Sequence, residues 1–296
     1  NAYWMLCLPV AVIASSPLSG WILGRWNWRV LLISEGLFPL AWLAVWWFLI
    51  DDHPHQAKWI STAERTHLET TLSREAGELE PVRPEPYLSA LFRPQVLAMI
   101  FVYLMLNTGN YGYLFWLPSV LGSAKEAGGR HLSNVVIGLL NAVPYIITAI
   151  GMVLLSRHSD KRRERQGHVA FGLAFGGLCL LSSVLISRQA PVLSFLLISL
   201  VGAGSYGALG PFWAIPTETL PAGVAGSAMG LVNAIGNLGG WLGPRLVGTL
   251  NKRTGNFLYA FGLLGASLLI GSLTAGIMAA RSARRGGGKR GAGRAE

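Results

Sequence analysis

Three groups of polar side chains stand at helical spacing within stretches of chain that are otherwise apolar. They comprise Asn107, Asn110 and Tyr111 in the first stretch, Asn141 and Tyr145 in the second, and Asn233 and Asn237 in the third. Amide and phenol groups donate and accept hydrogen bonds but are poor nucleophiles, so the chemistry they predict is reversible binding of a polar ligand. Equally, such side chains can join neighbouring helices through hydrogen bonds of roughly 0.6–2 kcal/mol. The spacing leaves a cavity wall and a helix contact open as alternatives.

The elements that position these side chains are long apolar segments. Hydrophobic residues make up 52% of the 296-residue chain and charged residues 13%, which is about half the charged share of an ordinary soluble domain. A helix needs about 20 apolar residues to cross a hydrocarbon layer roughly 30 Å thick. Stretches of this kind lie at 3–23, 30–50, 95–117, 133–156, 168–187, 191–214, 224–248 and 257–280. The sequence therefore predicts an all-α integral membrane protein with about eight transmembrane helices.

The ionisable and sulfur-containing residues argue against several other classes of protein. The formal charge of +10 is spread over short loops, whereas a nucleic-acid-binding protein needs its cations on one water-facing surface. Cys7 and Cys179 lie inside apolar stretches, and the six histidines lie in loops or at span edges without metal-ligand spacing. No paired carboxylates occur within a span, which disfavours an integral membrane enzyme. We expect no metal, no cofactor and no nucleic-acid partner.

Lys and Arg residues are distributed unevenly between the two sets of loops that eight alternating spans create. The set at 51–93, 157–165 and 281–296 holds sixteen of them, and the other set holds seven. Cytoplasmic loops of membrane proteins carry the excess of Lys and Arg. The sequence therefore predicts a multi-pass protein of the cell (inner) membrane with a cytoplasmic C-terminus. The basic tail 281–296 is interpreted as a topology anchor beside anionic lipid, with a dedicated partner site as the alternative.

One long loop divides the predicted spans into two and six. Residues 1–50 contain the first two spans, 51–93 form the loop, 94–280 form a six-helix block, and 281–296 form the tail. This arrangement is unusual for a complete membrane protein, so we expect four further spans to precede Asn1 in a longer gene product. A genuine eight-helix protein is the alternative.

Four segments together resemble the major facilitator superfamily, and within it the anion:cation symporter group. They are PLSGWIL with WRVLLISEGLFPL at 17–40, DDHPHQAKWISTAERTHL at 51–68, SRHSDKRRERQGH at 156–168, and GPFWAIPTETL with GLVNAIGNLGGWLGPRLVG at 210–248. The resemblance runs from about Pro9 to Gly255. It implies a fold of twelve helices in two lobes with both termini cytoplasmic, of which this chain would hold helices five to twelve.

The resemblance also implies a secondary active transporter rather than an enzyme. Proteins of this group carry small organic anions such as tartrate, phthalate and sugar acids, with a proton as the coupling ion, by alternating access. The implied partners are therefore an organic anion substrate, a proton and membrane lipid, and we expect a monomer. A non-transporting truncated membrane protein or an interaction subunit is the alternative.

The segment SRHSDKRRERQGH suggests a conformational role. The resemblance implies that Asp160 matches an acid that contacts neighbouring helix ends, and that Lys161 matches the cation after it. Ser156 and Glu164 depart from the pattern, which has a glycine and a cation at these positions. We interpret Asp160 and Arg162 as a latch of the outward-open state, with a solvated topology loop as the alternative.

Three further ionisable residues lie in or near the spans. Glu35, about one turn inside the helix that follows Arg29, is interpreted as a pairing partner at the outer end or else as a proton-coupling group. Glu218 is interpreted as a gate or helix-end contact at the cytoplasmic face, or else as a solvated side chain. Arg245 can match a carboxylate with its planar guanidinium, or extend to water near the outer end.

Glycines recur along the stretch 224–248. They are Gly226, Gly230, Gly236, Gly240 and Gly243. Small residues allow helix backbones to approach one another closely. We expect this ladder to pack helices rather than to bind a ligand.

Overall fold

The computed structural model describes residues 2–57, 59–78, 92–123, 131–220 and 222–292. These residues form helices and no β-strand, which confirms the all-α fold class. The described helices are α1 (Ala2–Met5), α2 (Cys7–Arg25), α3 (Trp28–Leu49), α4 (Thr62–Glu78), α5 (Pro94–Ser123), α6 (Asn134–Arg162), α7 (Gln166–Ile186), α8 (Pro191–Ser205), α9 (Leu209–Thr219), α10 (Ala222–Gly236), α11 (Leu238–Thr254) and α12 (Leu258–Ala292).

Six stretches of the described chain are helical, long and apolar enough to cross a membrane. They are Tyr3–Arg25, Trp28–Leu49, Asn134–Arg162, Gln166–Ile186, Pro191–Thr219 and Leu258–Arg284, and they match six predicted spans. The predicted span 95–117 lies within the continuous helix α5, in which Asn107, Thr108 and Asn110 interrupt the apolar residues. The predicted span 224–248 consists of two helices, α10 and α11, that meet at Asn237.

Two of the breaks between successive helices have a proline as their cause. Pro9 has no N–H to donate to the carbonyl of Met5, where α1 ends. Pro211 in the first turn of α9 likewise cannot donate to Gly207, in the short turn after α8. The break at Asn237 has a different cause, because no proline lies within four residues of it.

The larger of two compact units contains residues Asn1–Trp21 and Glu85–Glu296. Within it, α5 packs against α10, α11, α12 and α6, and α7 packs against α8 and α12. Large side chains such as Met99, Leu106, Tyr113, Leu173 and Leu264 are fully buried in its core. The helices that carry the predicted polar groups are therefore neighbours around α5.

In this unit, α2 approaches α6 through small residues on both helices. A Cβ added to Gly138 would meet the Cα of Pro17 at 3.2 Å, and one added to Gly20 would meet the carbonyl carbon of Asn134 at 3.1 Å. Neither position has space for a side chain. The backbones of α2 and α6 therefore touch directly.

The smaller unit, Ile22–Pro84, contains the end of α2 together with α3 and α4. Asn27 caps α3, because its Oδ1 accepts hydrogen bonds from two N–H groups of the first turn at 2.9 and 3.2 Å. None of the described side chains of α3 is buried. Arg65 donates from Nη2 to the carbonyl of Ala57 at 2.8 Å, which closes the turn before α4. Lys58 and residues 79–91 of the predicted loop lie outside the described residues.

Candidate functional site

A hydrogen-bonded chain of three asparagines links α5 to the break between α10 and α11. Asn107 is 4% exposed, and its Nδ2 donates to the carbonyl oxygen of Gly236 at 3.2 Å and to Oδ1 of Asn237 at 3.1 Å. The Nδ2 of Asn237 in turn donates to Oδ1 of Asn233 at 2.8 Å. Residues that the spacing assigned to two separate faces therefore form one polar chain.

The same hydrogen bonds explain the break at Asn237. In an uninterrupted α-helix, the carbonyl of Gly236 would accept from the N–H of Gly240. Here that carbonyl accepts from Asn107, and the N–H of Gly240 donates to the carbonyl of Asn237 at 2.9 Å. A side chain inserted into the hydrogen-bond ladder is a known cause of a helix kink. The hydrogen-bonded chain of asparagines thus lies at the break between α10 and α11.

Asn233, at the end of the asparagine chain, opens into a cavity of about 490 Å³ that we call the aromatic pocket. Its described lining consists of Trp4, Met5, Tyr103, Trp213, Met229, Gly230 and Asn233. The ring of Tyr103 meets the ring of Trp213 edge-on at a centroid distance of 5.0 Å and stacks on Phe212 at 5.2 Å. A mostly apolar lining with a few polar groups is typical of pockets that bind small molecules.

Two of the predicted residues are buried without hydrogen-bond partners. Asn110 and Tyr145 are each 2% exposed, and within the described part of the chain neither the Asn110 amide nor the Tyr145 hydroxyl has a partner. A buried polar group that is left unpaired costs roughly 1–3 kcal/mol. These two side chains therefore retain donors and acceptors that a water molecule or a ligand can use.

Two further predicted residues lie at helix contacts. Asn141 donates from Nδ2 to Oγ of Ser16 at 2.7 Å, which joins α6 to α2. Tyr111 faces Gly240 of α11, and its ring lies 6.0 Å from that of Phe115. Neither side chain is part of the aromatic pocket. Asn107 and Asn141 thus join helices, as the alternative interpretation of these groups expected.

Neither Arg245 nor Glu35 is among the described residues that line the aromatic pocket. Arg245 is exposed, and its guanidinium lies over the ring of Trp241, one helical turn away, at 5.1 Å from the centroid. Glu35 lies on α3 in the smaller unit, where it is half-buried. No described lining residue of the pocket is charged.

A group of charged side chains joins the ends of α6 and α9, and we call it the Arg165 cluster. Arg165 pairs with Asp160 through Nη1, and its Nε and Nη2 lie 2.9 and 2.8 Å from Oε1 of Glu218. Its Nη1 also donates to Oγ of Ser159 at 3.2 Å. The side chain of Arg165 is 17% exposed, against 67% for Asp160 and 46% for Glu218. The hydrogen bond that Arg165 donates to Glu218, and to a lesser extent the one it donates to Asp160, raises the pKa of Arg165 above its ordinary value, although burial opposes this.

The cation that Asp160 meets is therefore Arg165, whereas the latch hypothesis assigned Arg162. Lys161 and Arg162 are exposed in the last turn of α6. Arg163 then adopts a left-handed conformation with φ of 50° and ends the helix. This turn brings Arg165 back to Asp160. Helical spacing could not have shown it, because the two residues are not on one continuous helix.

Glu164 caps the start of α7 and anchors a pair of histidines. Its Oε1 accepts from the N–H of Gly167 at 2.6 Å, and its Oε2 lies 2.7 Å from Nδ1 of His168. The Nε2 of His168 lies 2.7 Å from Nδ1 of His158 on α6. The acid that departs from the family pattern thus has a structural use, since carboxylates stabilise helix N-termini.

The prediction that the glycine ladder packs helices holds at three of its five positions. Added Cβ atoms at Gly236 and Gly240 would meet the rings of Tyr103 and Tyr111, and one at Gly243 would meet the α5 backbone at Thr108. Gly226 and Gly230 have no described neighbour within 4 Å of an added Cβ, so the expected close packing was wrong there. Gly230 instead lines the aromatic pocket. Close packing therefore begins at Gly236, the last residue of α10, and continues along α11.

Several residues of the site were not found from the sequence. Trp4, Tyr103 and Trp213 line the aromatic pocket, but aromatic residues are ordinary members of apolar spans and gave no signal. Arg165 was counted only as one cation of a loop. Polar residues inside spans were detectable from the sequence, because a polar side chain in the hydrocarbon layer is costly unless it is paired or faces a cavity.

Residues 1–244 match the sequence pattern of the Major Facilitator Superfamily. The chain belongs to this superfamily. A protein of Acinetobacter baumannii named as a quinolone resistance transporter is 30% identical over 289 residues, which are 95% of this chain and 65% of the relative. A protein of Agrobacterium vitis whose name proposes a tartrate transporter is 32% identical over 302 residues, or 98% and 66% of the two chains. The hexuronate transporter of Bacillus subtilis is 24% identical over 275 residues, or 90% and 61%.

These relatives confirm the resemblance to anion and sugar-acid permeases of the superfamily. This superfamily member spans a little less than two thirds of the length of the curated relatives, at 65%, 66% and 61%. The helices, the asparagine chain and the aromatic pocket described above are thus features of a region that the relatives share.

Proposed function

We propose that this chain belongs to a secondary active transporter that moves small organic acids together with protons by alternating access. The observation that carries the proposal is the asparagine chain, which connects a bend in a helical rod to the aromatic pocket. The relatives named for tartrate and hexuronate transport support the substrate class. Binding and conformational change suffice for this function, and no covalent step is involved.

The aromatic pocket offers complementary contacts to a small carboxylic acid. The Asn233 amide and the phenol group of Tyr103 can donate hydrogen bonds to carboxylate oxygens. The faces of the aromatic rings and the side chains of Met5 and Met229 can contact the carbon skeleton of the acid. Because no described lining residue is charged, an accompanying proton lowers the cost of bringing a carboxylate into this apolar surrounding. This argument supports proton coupling.

The conformational change is proposed to use two elements. The break at Asn237 lets α10 move relative to α11, and this motion would change the position of Asn233 in the pocket. The Arg165 cluster joins α6 to α9 on the side that the charge distribution assigns to the cytoplasm. We assign the latch to Arg165 with Asp160 and Glu218, in place of the pair Asp160 and Arg162.

A second candidate substrate is a planar aromatic compound. The aromatic pocket presents Trp4, Trp213 and Tyr103 together, and the Acinetobacter baumannii relative is named for quinolone resistance. Aromatic rings stack favourably on one another, at about 0.5–1.5 kcal/mol beyond the burial of area. Such a substrate would use the same pocket with less need for the asparagine chain.

Transport assays separate these possibilities. Cells that express this chain, and in parallel the longest reading frame that contains it, are tested for uptake of radiolabelled tartrate, galactarate and glucuronate, with and without a protonophore. Resistance of the same cells to a quinolone is measured alongside. Acid uptake that the protonophore abolishes supports the first proposal, and quinolone resistance without acid uptake supports the second. Absence of both activities, with the protein present in the membrane, would favour a non-transporting membrane subunit.

A further inference from the structure

A second cavity lies at the end of the larger unit that also carries the Arg165 cluster, and we call it the basic cavity. It measures about 510 Å³ and is formed by the start of α5, the start of α7, the end of α9 and the last part of α12. Its polar lining includes Arg93, Gln95, Gln166, Thr219 and Arg281. It shares no lining residue with the aromatic pocket.

The electrostatics of the basic cavity favour an anion. Arg93 and Arg281 both contribute to its wall, and no acidic residue is among the described residues that line it. The wall also includes Pro94 and Gln95, the first residues of α5. The N-terminal end of a helix carries a partial positive charge and exposes N–H groups. The guanidinium groups of Arg93 and Arg281 and the N-terminus of α5 therefore all favour a negatively charged ligand.

Gln166 gives independent evidence for a ligand. It is 8% exposed, and its Oε1 is buried without a hydrogen-bond partner among the described residues. By contrast, Gln95 is already engaged, because its Nε2 donates to Oγ1 of Thr219 at 2.6 Å. An unpaired buried amide is unfavourable unless a guest completes its hydrogen bonds. A guest that also carries a hydroxyl group would donate to Gln166 while its charged part meets the arginines.

The cavity lies at the end of a helix that is long and apolar enough to cross a membrane. Arg281 lies near the end of the apolar stretch Leu258–Arg284, and Arg93 directly precedes α5. Both are therefore close to the boundary between hydrocarbon and water. Basic pockets between helices at this depth are suited to the headgroups of anionic lipids.

We propose that the basic cavity binds a hydroxyl-bearing phosphate group, with Arg93 and Arg281 contacting the phosphate oxygens and Gln166 accepting a hydrogen bond from the hydroxyl. The glycerol phosphate headgroup of phosphatidylglycerol has this chemistry, and soluble glycerol phosphate shares it. The site is separate from substrate transport, so it stands or fails independently of the proposed function.

Thermal unfolding of the purified chain in a neutral detergent tests the site. Tryptophan fluorescence is recorded during titration with phosphatidylglycerol, with phosphatidylcholine of the same acyl chains, with glycerol 3-phosphate and with inorganic phosphate. We expect phosphatidylglycerol to raise the unfolding temperature and phosphatidylcholine to leave it unchanged. Response to glycerol 3-phosphate at equal strength would assign the site to a soluble ligand, whereas response to the lipid alone would assign it to the membrane.

Two arginines of α12 provide a matched pair of variants. Arg281→Gln is expected to weaken the apparent affinity for phosphatidylglycerol about tenfold or more, because a charge-assisted hydrogen bond is lost. Arg284→Gln removes an exposed cation of the same helix that does not line the cavity, and it is expected to leave the affinity unchanged. Equal losses in both variants would mean unspecific attraction to the surface and would overturn the proposal.

Gln166→Leu tests the hydroxyl contact separately. This variant removes the unpaired buried amide oxygen, so we expect the protein to keep its fold. It is expected to lose the preference for glycerol 3-phosphate over inorganic phosphate while keeping affinity for both. An unchanged preference would remove Gln166 from the site, and equal effects of the two phospholipids on the unmodified chain would overturn the site as a whole.

Discussion

Asn107 and Asn110 lie one turn apart on α5 and differ in whether their amide groups have hydrogen-bond partners. Asn107 donates to both Gly236 and Asn237, whereas the amide of Asn110 is buried and has no partner among the described residues. One residue therefore joins helices, and the other retains capacity for a guest. The difference makes the two residues a natural pair for mutation.

Asn107→Leu is expected to lower the free energy of unfolding by about 1–3 kcal/mol, because it leaves the Gly236 carbonyl and the Asn237 amide oxygen without their donor. Thermal unfolding in detergent measures this change. Asn110→Leu serves as the control of similar size and is expected to be neutral or stabilising, since no described hydrogen bond is lost. A large destabilisation by Asn110→Leu would mean that its amide is already satisfied by bound water.

Arg165→Gln is expected to change the rate of transport by about two- to tenfold. It leaves Asp160 and Glu218 without their cation, and the effect is modest because both carboxylates are largely exposed and such pairs contribute about 0.2–1 kcal/mol each. Arg162→Gln is the matched control and should transport at the normal rate. Arg165→Lys should restore part of the rate, because lysine keeps the charge but lacks the planar fork that reaches two carboxylates. Uptake assays that rank Arg162→Gln below Arg165→Gln would return the latch to Arg162.

At the scale of elements, α10 and α11, the two halves of one helical rod, differ in how closely they pack against α5. The α11 half touches α5 at Gly239 and Gly243, where added Cβ atoms would meet backbone oxygens. The α10 half has open space at Gly226 and Gly230 and contributes to the aromatic pocket. The break at Asn237 separates α11, which is closely packed, from the part of α10 that faces the pocket, and the proposed function requires the second to move relative to the first.

Gly243→Ala is expected to destabilise the protein by about 1–3 kcal/mol, because a methyl group there forces α11 away from Thr108 on α5. Gly226→Ala on the same rod is the control, and it should be neutral or slightly stabilising because alanine is the better helix former. Chemical or thermal unfolding of the two variants provides the comparison. Similar losses in both would show that the α10 half is also closely packed in the membrane.

At the scale of the whole molecule, charge and apolarity describe a multi-pass membrane protein of the major facilitator superfamily. The asymmetry of Lys and Arg between loops remains the argument for its orientation. This predicted orientation would place the Arg165 cluster and the basic cavity on the cytoplasmic side and Arg245 on the outer side.

A reporter fused after Glu296 tests the orientation. Green fluorescent protein should fluoresce in intact cells, and alkaline phosphatase at the same position should be inactive, because the first folds in the cytoplasm and the second needs an oxidising compartment. The opposite pair of results would place the tail outside and would reverse the assignment of the Arg165 cluster. Replacing the cations of 157–165 by Gln should weaken the preference, since the rule depends on Lys and Arg near the span ends.

The sequence by itself determined that this is an integral membrane protein, where most of its apolar helical segments lie, and to which superfamily it belongs. These properties depend on the length of apolar stretches and on short motifs, which are local and can be read along one chain. It also identified Asn107, Asn110, Tyr145, Asn233 and Asn237 as polar groups in need of a partner or a ligand, because polar side chains are costly in hydrocarbon.

Only the tertiary structure decided which partner each polar group has. Asn107 reaches a carbonyl 129 positions further along the chain, and in doing so creates the break at Asn237 that no proline signalled. Arg165 meets Asp160 because a left-handed residue reverses the chain. Trp4 and Trp213 form a pocket because distant helices place them together. Hydrogen bonds and pockets depend on which faces meet in space, and the order of residues along one helix does not contain that information.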